Sequence, residues 1–208
     1  MKTSFSQKNR SRQAGFTLVE LLVTIVIFVL LTGVVLVSQR KFDSTVLLNN
    51  LAYDTGLTIR QAQNYGVNVR VQDSSLGGSF DSYGVYFQGP TTGNNRNFVL
   101  YVDANNDETF SGAAGNTCLV NDPECLQRYQ INRGSYVSAL CVGDSEPSCT
   151  SVNTLNILFR RPNPDAYIYG GTLATPYNFA KITISTADGS ATRSVIVTKV
   201  GQIYVKQQ

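Results

Sequence analysis

The 208-residue sequence has no histidine, no tryptophan and a single methionine, and only 15% of it is charged. Without histidine there is no zinc site built on imidazole. There is also no Ser-His-Asp or Cys-His catalytic pair, because those mechanisms take their general base from that side chain. Four cysteines are far too few for a miniprotein framed by disulfides, and a composition that is 42% hydrophobic and 10% aromatic excludes a disordered chain. No collagen-like period and no internal repeat of about 20 to 50 residues occurs. The length fits one modest domain plus an additional segment.

The formal charge of +3 is unevenly placed. Lys2, Lys8, Arg10 and Arg12, four of the 17 basic residues, fall in the first 15 positions, which hold no acid. The remaining chain has 13 bases against 14 acids. Its near neutrality removes the overall basic balance as an argument for nucleic-acid binding.

From Phe16 to Val37 the chain reads FTLVELLVTIVIFVLLTGVVLV, 22 residues whose only ionisable side chain is Glu20. As a helix this run reaches roughly 33 Å, enough to cross a hydrocarbon core of about 30 Å. The leader bases outnumber Arg40 and Lys41 on the far side, so a cytoplasmic N-terminus and an exported remainder are expected. An ordinary secretory signal is the competing reading. Its apolar region usually spans about 7 to 15 residues and ends in a small-x-small site, which Leu36-Val37-Ser38 does not supply. Glu20 costs roughly 2.5 to 3.5 kcal/mol at mid-membrane and less near an end. Either it sits wet at the helix start, favourable to the macrodipole, or the chain is cut after Gly15 and the new Phe16 amine pairs with the Glu20 carboxylate of its own or a neighbouring subunit.

Gly15-Phe16-Thr17-Leu18-Val19-Glu20, behind a short basic leader and ahead of an unbroken apolar run, resembles the cleavage site of type IV prepilins and type II secretion pseudopilins. The resemblance implies a membrane prepilin peptidase that cuts after Gly15 and N-methylates Phe16. It further implies Glu20 as the carboxylate that docks a subunit, and long helices that bundle into a filament core. The implied partners are the peptidase, other pilin or pseudopilin subunits, an inner-membrane assembly platform and, before assembly, the lipid bilayer.

Past Val37 a helical pattern continues. Val46, Leu47, Leu51, Thr58, Ala62 and Tyr65 recur at helical spacings between polar residues, and Gly66 offers a stop. From Phe16 to Tyr65 the helix would run about 75 Å, with Gly33 as a point of loosening and Asp43-Ser44 as a bend or local cap. Short β-type runs follow, at 83–88, 97–103, 128–131, 136–142, 155–160, 180–185, 194–199 and 202–206. Ala187-Asp188-Gly189-Ser190 is read as a hairpin turn. The expected fold class is α+β: an antiparallel β head packed on the distal half of a long helix. The expected segments are a leader at 1–15, a transmembrane half-helix at 16–37, an amphipathic half at 38–66 and an exported head at 67–208.

The ending, Ile157-Leu158-Phe159-Arg160, then two alternating strands, then Gly201-Gln202-Ile203-Tyr204-Val205, resembles GspH/FimT-like minor pseudopilins and pilins. Some relatives of that group bind DNA through a basic C-terminal tail. This chain offers Lys199 and Lys206 there, with Gln202 where a further base would help, and a groove for nucleic acid generally wants a basic stripe. Nucleic acid is therefore not the expected partner, and a DNA-binding subunit or a major pilin stands as the alternative.

Cys118, Cys125, Cys141 and Cys149 allow three pairings. The local one, Cys118 with Cys125 and Cys141 with Cys149, would hold polar loops that lack apolar anchors. Spacings of seven and eight do not match the short knuckles of a zinc site, which is the other option. Asp103-Ala104-Asn105-Asn106-Asp107-Glu108 places oxygens at alternate positions, as the first half of a calcium loop does, so Asp103, Asn105 and Asp107 are candidate calcium ligands. Glu108 stands where such a loop has its turn glycine and Ala114 where it has its final Glu, and a solvated turn fits equally well. A related pseudopilin class uses calcium. An enzyme would need convergent acids or a metal cage, and the acids here are dispersed along the sequence, so a structural subunit is expected instead.

Overall fold

A computed structural model describes residues 15–68, 82–112, 118, 122–171 and 175–207, without side chains for 37–43. The leader with its four bases, the side chains of Arg40 and Lys41, and Ala114 lie outside the described residues. One α-helix, α1, runs Leu18–Val67, and the chain divides into two compact units between Asp43 and Ser44.

In the first unit, Thr17 caps α1: its Oγ1 accepts the Glu20 N–H at 3.2 Å, and the first-turn Glu20 complements the macrodipole. Leu18–Leu36 is long and apolar enough to cross a membrane and buries nothing within the chain. Two hydroxyls in this stretch are satisfied by the helix itself: Thr24 donates to the Leu21 carbonyl (2.8 Å) and Thr32 to that of Phe28 (2.7 Å). Neither hydroxyl therefore adds an unpaired polar group in an apolar medium.

Among the described residues the second unit contains ten strands: β1 Ser82–Gln88, β2 Asn97–Asp103, β3 Cys125–Gln130, β4 Tyr136–Gly143, β5 Thr150–Ser151, β6 Thr154–Phe159, β7 Ala166–Gly170, β8 Phe179–Ser185, β9 Thr192–Thr198 and β10 Ile203–Gln207. They form two antiparallel sheets ordered β3-β2-β1-β6-β7 and β10-β9-β8-β4-β5. The expected runs all appear, with ends that coincide or shift by up to three residues, and β5 and β7 are additional. The β8–β9 turn closes on Gly189 at φ 71°, while Asp188 Oδ1 accepts from Ser190 and Thr186. Those hydrogen bonds lower the Asp188 carboxyl to about 2.

One apolar core joins the two sheets to the helix: Val85, Phe98, Ile157 and Ile168 from the first sheet, Leu140, Ile182, Val195 and Val197 from the second, and Leu48, Ala52, Ile59 and Ala62 from α1. The buried stripe of α1 is thus Leu48-Ala52-Thr55-Ile59-Ala62-Gly66. Of the expected stripe, Thr58 and Ala62 are buried and Tyr65 packs half-buried against the core. Val46 is exposed and Leu47 and Leu51 are half-buried, because Ala52 and Gly66 let the backbone approach the strands where larger residues would hold it off. At Gly66 an added Cβ would collide with the Phe159 carbonyl oxygen.

The outer face of the first sheet is covered as well. Val99, Tyr101, Leu158 and Tyr169 form a second cluster with Phe110, Cys118 and Cys125 against it. Phe110 lies 5.6 Å from the Tyr86 ring and 5.4 Å from that of Tyr101. Cover on both faces explains why all seven residues of β2 are buried, where a one-sided strand would alternate.

Candidate functional site

The two local disulfides form. Cys118–Cys125 and Cys141–Cys149 bring their Cα atoms to 5.5 and 5.6 Å, and no cysteine among the described residues is free.

The first disulfide governs the acidic loop after β2. Asp103 is fully buried at the end of β2, Glu124 is buried just ahead of β3, and Asp107 lies exposed in the loop between them. One carboxylate oxygen from each lies within 4.8 Å of the others. The acids dispersed in sequence therefore converge. Glu124 was not among the candidate ligands, since nothing local marks it and only the pairing of β2 with β3 brings it back. Val102 donates its N–H to the Glu124 carbonyl at 2.8 Å, and the Ser111 N–H donates to Glu124 Oε2 at 2.7 Å.

Asn105, another of the candidate ligands, hydrogen-bonds within the loop. Its Oδ1 accepts the Asp107 N–H (3.0 Å) and its Nδ2 donates to Asp107 Oδ2 (3.0 Å). Asp103 accepts the N–H groups of Asp107 and Glu108, both at 3.1 Å. Glu108 adopts φ 64°, the left-handed conformation that favours glycine, so the turn is made despite the missing Gly. The Glu108 side chain turns away from the acids, accepting from Arg160 Nη1 (3.2 Å) and from the Tyr169 hydroxyl. The Arg160 guanidinium lies 4.0 Å from the centre of the Tyr167 ring.

Burial pushes the Asp103 carboxyl up, against hydrogen bonds from Glu108 and Asp107. Burial likewise raises Glu124, with Asp107 and Asp103 adding repulsion. At Asp107 burial acts upward too, but the hydrogen bonds from Ser111 and Thr109 prevail and lower it. The donor set is all oxygen and strongly anionic, the type that hard divalent cations take.

The N-terminal segment has its own geometry. Phe16 is 78% exposed, beside the capped helix start, and Glu20 is exposed one turn in. Residues 10–36 match the family described as the prokaryotic N-terminal methylation motif. The chain thus carries a prepilin-type N-terminal methylation motif. Comparison of the chain with curated proteins, and with solved structures, finds no match. For a prepilin-like chain the apolar helix is a membrane anchor, and the role implied is that of a structural subunit.

Proposed function

We propose that this chain is a filament subunit, a minor pilin or pseudopilin of a type IV pilus or a type II secretion pseudopilus. Prepilin peptidase cleaves it between Gly15 and Phe16 and methylates the new Phe16 amine. Its N-terminus begins in the cytoplasm with the head exported, and an inner-membrane assembly platform inserts it among other subunits. The observation that carries this reading is the methylation motif at 10–36, coincident with an apolar helical stretch, Leu18–Leu36, that is not buried against any of the described residues. Glu20 is the single carboxylate in that surface, and pairing with a neighbour's Phe16 amine removes the cost of carrying it there. The likeness to GspH/FimT-type minor subunits rests on β6 and the closing strands β8 to β10, and a major pilin is the alternative. Lys206, one of the two bases available to a DNA-binding tail, donates to both oxygens of Glu146 (3.0 and 2.9 Å), which favours an assembly role over DNA uptake.

The test is intact mass and N-terminal sequencing of chain extracted from membranes of cells with and without prepilin peptidase. A chain that begins at methylated Phe16 only when the peptidase is present supports the reading. A chain that still begins at Met1 in peptidase-positive cells overturns it.

A second reading concerns the acidic loop, for which we propose calcium as the ligand, held by Asp103, Asp107 and Glu124. The convergence of three carboxylates supports it, together with the left-handed turn at Glu108 in the place of the calcium-loop glycine. Glu124 then supplies the closing carboxylate that position 114 lacks. Bound calcium would offset the mutual repulsion of acids that burial already disfavours as anions.

A further inference from the structure

In the head unit, the large apolar side chains exposed among the described residues are Val46, Tyr53, Leu57, Val200 and Tyr204. They fall into two patches. Tyr53 and Leu57, exposed by 60% and 62%, lie four residues apart on the outward stripe of α1, opposite the buried stripe. Val200 and Tyr204 border a groove of about 510 Å³ floored by Phe179, with Thr198, Lys199, Asp144 and Glu146 around it.

The two patches lie on opposite sides of the second sheet. The helix packs on the face that bears Val195, Val197 and Ile203. Strand alternation places Phe179, Thr198 and Tyr204 on the other face. A ridge on one side and a groove on the other make a heterologous contact, the kind that repeats without closing and generates a helical polymer.

We propose that the Tyr53–Leu57 ridge of one copy seats in the Phe179 groove of the next. Charge supports the pairing: Asp54 beside the ridge is exposed, and Lys199 at the groove is an exposed cation. Thr198 Oγ1 is buried in the groove with no hydrogen-bond partner. The Tyr53 hydroxyl supplies that partner once the ridge enters. The inference rests on the filament-subunit reading and specifies which surfaces of the head meet.

The test uses the full chain in cells that process and assemble it. Leu57→Cys and Val200→Cys are made separately and together, both at exposed sites that leave the core intact, and a short bismaleimide is added to intact membranes. The expected result is a ladder of dimers, trimers and higher species that requires both substitutions. Charge reversal gives an independent readout: Asp54→Lys or Lys199→Asp, added to the double-cysteine chain, each lower ladder yield about threefold, and together they restore it. Three results overturn the seating: processed chain with no ladder, dimers from Leu57→Cys alone, or cross-links to a different protein. Chain that retains Met1 overturns the filament reading, and this inference with it.

Discussion

Glu124, just ahead of β3, presents its carboxylate within 4.8 Å of that of Asp103, at the end of β2, and both are buried. Two anions facing each other away from water are unfavourable without a counter-charge. Calcium at millimolar concentration is therefore expected to raise the unfolding temperature of the wild-type chain. A site filled at 100 times its dissociation constant adds about 2.7 kcal/mol. Glu124→Gln should lose most of that increment, as read by thermal unfolding with calcium against chelator. Equal increments in wild type and variant would overturn the calcium reading.

The same pair sets a pH dependence in chelator. Both carboxyls are raised in the folded state, so the folded chain holds their protons more tightly than the unfolded chain does. Their contribution to stability grows as pH falls from neutrality through the raised values, and levels off below the ordinary 3.8 and 4.5. Glu124→Gln lacks one of these titrations. It should match or exceed wild type at pH 7 and lose that advantage towards pH 4 in paired melts. A constant difference across this range would show that Glu124 keeps its ordinary affinity for the proton.

Two glycines of α1 should respond in opposite directions. A Cβ at Gly56 meets Ile203, Val195 and Val205 methyls at 3.8 to 4.0 Å, ordinary contact, so Gly56→Ala should raise stability by roughly 0.5 to 1 kcal/mol. Gly66→Ala puts the same methyl into the Phe159 carbonyl and should lower stability by about 1 to 3 kcal/mol. Denaturant midpoints of the two variants check both signs.

The two disulfide loops act on opposite outer faces of the head. Cys118–Cys125 packs against the first sheet, and the Cys141–Cys149 loop carries Glu146 to Lys206 of β10. Replacing both members of either pair with Ser should cost about 2 to 4 kcal/mol. Only the Cys118/Cys125 replacement should also weaken the calcium response, because only it holds the loop that ends at Glu124. Loss of that response on replacing Cys141 and Cys149 would contradict this division.

The hydrogen bond between Lys206 and Glu146 ties the last strand to the second loop, and it lowers the Glu146 carboxyl. Both groups reach solvent, so Lys206→Ala should leave the denaturant midpoint almost unchanged. Protection of the β10 amides in hydrogen exchange is the sensitive readout, with faster exchange expected at Tyr204, whose N–H lies on the β9 side of the strand.

The apolar run from Phe16, the basic leader and the Gly-Phe-Thr-Leu-Val-Glu sequence were legible because their information is local: one contiguous segment, read by length, charge and a short motif. The β-type runs and the local cysteine pairs were legible for the same reason, since alternation and loop closure are short-range properties. The buried face of α1 was legible in part: Thr58 and Ala62 were expected inward and are buried, whereas Val46 was expected inward and is exposed. Val46 and Leu48 are both apolar and two residues apart, and only the strands packed against Ala52, Ile59 and Gly66 decide which of them turns inward.

Glu124 shows the same limit at the acidic loop. The sequence by itself determined an anchored α+β chain with a prepilin-type start, because backbone periodicity and hydrophobicity act between near neighbours. Tertiary structure decided the split into two sheets, the convergence of Asp103, Asp107 and Glu124, and the placement of ridge and groove on opposite sides of the head. Those features depend on strand pairing between distant segments, whose partners are selected by the packing of the whole core.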